Sequence, residues 1–116
     1  MHPKNFAWDF TVDLKKIIPL SGNWECALVD LKYTGNYGDL YVFSDICEPN
    51  YVSERYLPIL RVTDQGSNSF SYPYYMKISR DHIDRIRIYI RGGDGKIPSK
   101  NPDHLRCTLH LRNVSY

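Results

Sequence analysis

The segment Ile83-Asp84-Arg85-Ile86-Arg87-Ile88-Tyr89-Ile90-Arg91 decides the fold. Ile86, Ile88 and Ile90 alternate with Arg85, Arg87, Tyr89 and Arg91, and a period of two sends successive side chains to opposite sides of a pleated strand. Residues 105–112 repeat the pattern, with Leu105, Cys107, Leu109 and Leu111 set against Arg106, Thr108, His110 and Arg112. Each strand therefore has one apolar face that another layer must cover. Because those faces match and consecutive strands often pair, the two are expected to be antiparallel neighbours joined by the loop 92–104.

The same period extends towards the N-terminus. Trp8, Phe10, Val12 and Leu14 alternate with Asp9, Thr11 and Asp13, and residues 19–23 (Pro-Leu-Ser-Gly-Asn) then turn the chain. Over residues 24–33 the apolar set Trp24, Cys26, Leu28 changes parity to Val29, Leu31, Tyr33, so a β-bulge or two covered faces are expected there. Residues 40–46 are apolar on both sides and predict a central strand, while Pro58 places the strand 57–63 at a sheet edge. A short aromatic strand is expected over 72–78, one helical turn capped by Ser79 over 79–83, and turns or loops at 35–38, 65–69 and 92–96. The predicted core contains Trp24, Leu28, Leu31, Val42, Ile59, Ile86, Ile88, Ile90, Leu109 and Leu111.

Composition agrees with this reading. Ten Tyr, four Phe and two Trp suit a half-buried pleated surface, and a chain of 116 residues can bury a core without staples. The expectation is one domain over residues 1–116: an all-β antiparallel two-sheet sandwich, jelly-roll-like, of about seven to eight strands with at most one short helical turn.

Little in the sequence points to catalysis or metal binding. Cys26, Cys47 and Cys107 are odd in number and widely spaced, which predicts buried free thiols in a reducing compartment and no zinc site. His2, His82, His104 and His110 have no partner at ligand spacing. The carboxylate pairs Asp9/Asp13 and Asp45/Glu48 lie on strand faces or in turns, where solvation and capping account for them. Gly92-Gly93-Asp94-Gly95-Lys96 lacks P-loop spacing and precedes no helix, so a wide turn is expected. No enzyme, cofactor or metal is therefore expected. Nor is a membrane, since the start of the chain has no signal-like apolar run and no stretch approaches the roughly 18 apolar residues of a spanning helix.

Charge is unevenly spread. Residues 1–76 carry six Lys/Arg and nine Asp/Glu, a net −3, whereas residues 77–116 carry nine and four, a net +5. If the two alternating strands pair, Arg85, Arg87, Tyr89, Arg91, Arg106, His110 and Arg112 share one outward ribbon. Such a ribbon suits solvent, a carboxylate-bearing protein surface bound through forked Arg pairs, or the phosphates and bases of nucleic acid. The net charge of +2 makes nucleic acid the less favoured partner.

The order of several segments resembles a family. Phe10-x-Val12-x-Leu14, the run 20–28 (Leu-Ser-Gly-Asn-Trp-Glu-Cys-Ala-Leu), Val42-x-x-Asp45-Ile46-Cys47-Glu48-Pro49 and Leu57-Pro58-Ile59-Leu60-Arg61-Val62 come first. Ile86-x-Ile88-x-Ile90-Arg91-x-x-Asp94-Gly95 and Leu109-His110-Leu111-Arg112 follow. Together they resemble minor virion structural proteins of Polinton/Maverick elements and of related adintovirus- and adenovirus-like DNA viruses. The resemblance implies a jelly-roll capsid, penton-like, spike or cement component in the virion, made in the host cytosol and assembled there or in the nucleus. It also implies a homo-oligomer that contacts other capsid proteins. A nucleic-acid- or glycan-binding β-sandwich module is the alternative function.

Overall fold

The computed structural model describes residues 8–33, 39–48, 50–52, 55–57, 59–63, 68–69, 73–92, 95–98 and 105–114. Among the described residues ten strands run in chain order: β1 (Asp9–Pro19), β2 (Asn23–Tyr33), β3 (Leu40–Ser44), β4 (Asn50–Val52), β5 (Arg55–Leu57), β6 (Ile59–Thr63), β7 (Asn68–Ser69), β8 (Met76–Lys77), β9 (His82–Gly92) and β10 (Leu105–Val114). The first sheet has the order β1-β9-β3-β6, and the second has β10-β2-β7 with β8 also on β2. β4 and β5 form a separate two-stranded ribbon. All pairings are antiparallel, which makes the fold an all-β two-sheet sandwich.

The expected pairing of the two alternating strands does not occur. β9 lies between β1 and β3 in one sheet, and among the described residues β10 pairs only with β2 in the other. Two physical reasons favour this arrangement. Lying in opposite sheets, the two strands turn their apolar faces into one shared core, where Ile88 and Ile90 are buried and Leu105, Cys107, Leu109 and Leu111 pack against the cluster. Pairing side by side would also have set arginine beside arginine, and like charges across a ladder are destabilising. β1 and β2 instead bring carboxylates to the basic strands.

The parity change in β2 is a bulge. Thr108 pairs with Asp30 and Leu109 with Leu28, so Val29 is the extra residue, and Leu28 and Leu31 both reach the core. β3 is central, with Leu40 and Val42 fully buried, and β6 is an edge strand. On β6, however, Leu60 enters the central cluster and Ile59 does not. A register shift between Val42 and Phe43 sets Ile59 opposite Phe43, and both are buried on the other side of the sheet. Trp24, Ile86, Leu109 and Leu111 are only half-buried against the core, whereas Trp8, Leu20, Ile46, Ile78 and Ile83 complete it.

The helical turn expected over 79–83 is absent, and the described residues contain no helix. The backbone groups it would have needed are already bonded across strands: Ser79 N donates to the Ile46 carbonyl (2.9 Å), and Leu20 N donates to the Asp81 carbonyl (2.8 Å). The predicted strand 72–78 is reduced to β8 plus a bridge between Ile78 and Cys47. Asn68 and Ser69, expected in a loop, pair with β2. Of the turns, 35–38 lies outside the described residues. Gly22 has φ 86° in the turn into β2, and Gly95 has φ 82° in the turn after β9, where Gly92 N donates to the Lys96 carbonyl (2.8 Å).

Candidate functional site

The predicted ribbon is divided between the two outer faces of the sandwich. Arg85, Arg87, Tyr89 and Arg91 alternate with the buried isoleucines of β9 and lie on the outside of the first sheet. Arg106, His110 and Arg112 alternate with the half-buried residues of β10 and lie on the outside of the second. Sequence reasoning placed these seven residues together, and the topology separates them.

On the first face, Arg87 donates from Nε to Asp9 Oδ1 (2.9 Å) and from Nη2 to Asp9 Oδ2 (2.7 Å), a forked pair between neighbouring strands. That hydrogen bonding, together with the guanidinium charge, holds the Asp9 carboxyl below its usual pKa against the opposing effect of burial, and the Asp9 carboxylate in turn raises Arg87. The Arg87 guanidinium also lies over the Tyr89 ring at 4.6 Å, with Arg91 at 5.3 Å, and Tyr89 stacks on Phe43 at 4.9 Å. Burial raises the Tyr89 hydroxyl pKa in spite of the two cations. Asp45 closes the end of β3: one oxygen accepts from Arg80 Nη2 (2.8 Å) and the other from the Arg87 N–H (3.0 Å).

The second face follows the same plan. Arg112 donates from Nε to Oε1 of Glu25, its register partner on β2 (3.0 Å), and its Nη2 lies 2.9 Å from the same oxygen as an ion pair. Its guanidinium lies 3.5 Å over the ring of Tyr75, whose hydroxyl is 2.7 Å from His110 Nδ1. Arg106 approaches Asp30 at 3.6 Å, and Lys77 approaches Glu48 at 3.7 Å.

These contacts explain the charge asymmetry of the chain. Asp9 with Arg87, Asp45 with Arg80, Glu25 with Arg112, Asp30 with Arg106 and Glu48 with Lys77 each join a carboxylate from residues 1–76 to a cation from residues 77–116. Acidic and basic segments neutralise one another inside the molecule. The continuous positive ribbon on which nucleic-acid binding was argued is not formed.

Tyr75, Glu25 and Asp30 were not singled out from sequence, and Asp9, Asp45 and Glu48 were read as solvated or capping carboxylates without their cationic partners. The only available signal was the opposite sign of the two segments, which says that pairs can form but not which. Three exposed apolar side chains on β1 also went unrecognised: Val12 (49% exposed), Ile17 (63%) and Ile18 (40%). Val12 was expected to face the core. The clue to an edge was Lys15-Lys16-Ile17-Ile18-Pro19, where the alternation lapses and a proline ends the strand.

Burial pushes the Cys26 and Cys47 thiols up to about 12 and Cys107 to about 11, so all three are protonated near neutrality. Among the described residues, no group of three or more His, Cys, Asp or Glu side chains could hold a metal ion. His2 and His104 lie outside them. Compared with protein-family models, curated proteins and solved structures, the chain matches none.

Proposed function

We propose that this domain is a non-enzymatic structural protein of a virion, a minor capsid, penton-like, spike or cement component that acts through protein–protein contacts in an oligomer. The observation that carries the contact reading is what remains of the surface after internal charge pairing. Both outer faces are largely neutralised by the chain's own ion pairs, while Val12, Ile17, Ile18, Val62 and Tyr74 stay exposed. Apolar and aromatic groups left at the surface suit association with protein. The virion assignment rests on the resemblance of the strand segments to virion proteins of Polinton-like elements. The nucleic-acid alternative loses its main support, because the arginines are divided between opposite faces and most face carboxylates.

Density-purified particles from the producing cells test this function. Recovery of peptides of this chain in fixed proportion to the major capsid protein is the expected result, and their absence from particles overturns the virion role. Retention on DNA at physiological salt, falling steeply as salt is raised, would instead favour the nucleic-acid module.

A further inference from the structure

We infer that residues 73–80 form a clasp between the two sheets that opens as one unit while the rest of the sandwich stays folded, and that its opening uncovers the Cys26 and Cys47 thiols. The inference is independent of the virion role. It rests on how this segment is held and on what lies beside it.

The segment is tied to both sheets. In the second sheet, Met76 and Lys77 pair with Cys26 and Glu25 of β2, and Ile78 N donates to the Trp24 carbonyl (2.9 Å). Towards the first sheet, Ile78 bridges Cys47, Glu48 N donates to the Lys77 carbonyl (2.9 Å), and Ser79 N donates to the Ile46 carbonyl (2.9 Å), all just beyond β3. Two consecutive tyrosines repeat the division. The Arg61 guanidinium of β6 lies 4.2 Å over Tyr74, and that of Arg112 on β10 lies 3.5 Å over Tyr75. Extending the β2–β8 register by one residue sets Tyr75 opposite Ala27, which is the partner of His110 and is fully buried. The small side chain there lets the Tyr75 hydroxyl reach His110 Nδ1 across β2 (2.7 Å). Arg80 closes the far end on Asp45 (2.8 Å).

These ties are spread along the segment but shallow. Of its residues only Ile78 is buried, Tyr74, Lys77 and Ser79 are exposed, and the others are half-buried. Opening the clasp therefore withdraws one buried side chain, whereas opening β2 or β9 would withdraw several that are fully buried. Ion pairs and cation–π contacts at exposed side chains hold a segment only weakly. A stretch with few buried apolar groups and solvent-near backbone bonds opens at a lower free energy than the whole fold.

The same segment separates two buried nucleophiles. Cys47 lies directly opposite Ile78, and Cys26 lies opposite Met76, diagonal to Ile78 across the ladder. Both thiols belong to the central cluster with Ile78 and are 2% and 0% exposed. Withdrawing Ile78 removes cover from both at once. While the clasp is closed, burial keeps them protonated and inert, and water admitted by its opening removes the cause of that protonation.

Native-state hydrogen exchange of the full chain at low urea concentrations, followed by NMR, tests the unit. The Glu48, Ile78 and Ser79 amides should exchange together through an opening of small urea dependence, and faster than the Ile90 amide bonded to the Trp8 carbonyl. Iodoacetamide should modify Cys26 and Cys47 through the same opening, with the same small urea dependence. Tyr75→Ala should speed both reactions about fivefold, since it removes the stack under Arg112 and the bond to His110. Ile90→Val acts on the core opposite Val42, away from the clasp's partners at 45–48, so it should speed exchange of the Ile90 amide about fivefold and leave the clasp amides and both thiols unchanged. Exchange of the three amides at unrelated rates, or only with the urea dependence of global unfolding, overturns the clasp. Amides that open together while the two thiols react only on global unfolding overturn the thiol gate.

Discussion

β9 and β10 read almost identically as sequence, yet they occupy different situations. β9 has strands on both sides, and its Ile88 and Ile90 are 3% and 0% exposed. Among the described residues β10 has a partner on one side only, and Leu105, Cys107, Leu109 and Leu111 are all half-buried. Alternation identifies which face of a strand is apolar. The depth of that face depends on how many neighbours the strand has, which is a property of the whole sheet.

The largest effect that could break this contrast is in core truncation. Ile90→Ala should cost about 3 kcal/mol by urea denaturation, in the range for a fully buried isoleucine, and Leu109→Ala about half as much because its site is already partly open. Equal losses would show that β10 is as deeply covered as β9 in solution.

The two arginine anchors come next. Asp9→Asn should destabilise the fold by about 1 kcal/mol at neutral pH, a value kept small because Arg87 is 45% exposed and solvent screens the pair. The Asp9 pKa is lowered on folding from 3.8, so its contribution is present above that value and is lost as the pH falls through the lower folded pKa. The parent and Asp9→Asn should therefore converge in stability on acidification. A difference that widened in acid would mean that the fork is not what lowers this carboxyl.

Smaller still is the Tyr75 hydroxyl. Tyr75→Phe removes the bond to His110 but keeps the ring under Arg112, so a loss of about 0.5 kcal/mol is expected for an exposed hydrogen bond. Tyr75→Ala removes both contacts and should cost more, about 1 kcal/mol in total. If the two variants lost equally, the guanidinium stack would contribute nothing.

The last comparison needs no substitution. Alkylation of the native protein at mildly alkaline pH should label Cys107 on the half-open β10 before Cys26 or Cys47, because thiolate fraction and access both favour it. Simultaneous labelling of all three would indicate global unfolding in place of a difference between the strands.

Several features were legible in the residues themselves. The parity change at Leu28-Val29 announced the bulge that the β2–β10 register contains, because a strand can return apolar residues to one face only by inserting an extra one. The two-sided apolar run 40–46 announced a central strand, and Pro58 an edge. Ile59 is buried as expected but lies outside the central cluster, since a second bulge opposite β3 shifted parity where the sequence showed no break. The helical turn at Ser79 failed for a related reason: a local cap signal yields when distant carbonyls and amides claim the same backbone groups.

The chain's own pattern determined that it would form short antiparallel strands with one apolar face each, that two layers would enclose a core, and that acidic and basic segments would be segregated along its length. Those properties follow from side-chain period and composition, which are local. The tertiary structure alone decided that β9 pairs with β1 and β10 with β2, that the arginines are divided between opposite faces, and that β1 is the outermost described strand of its sheet. Strand partners are chosen by a competition among all the strands for cover and for opposite charge, and no single segment contains the outcome of that competition.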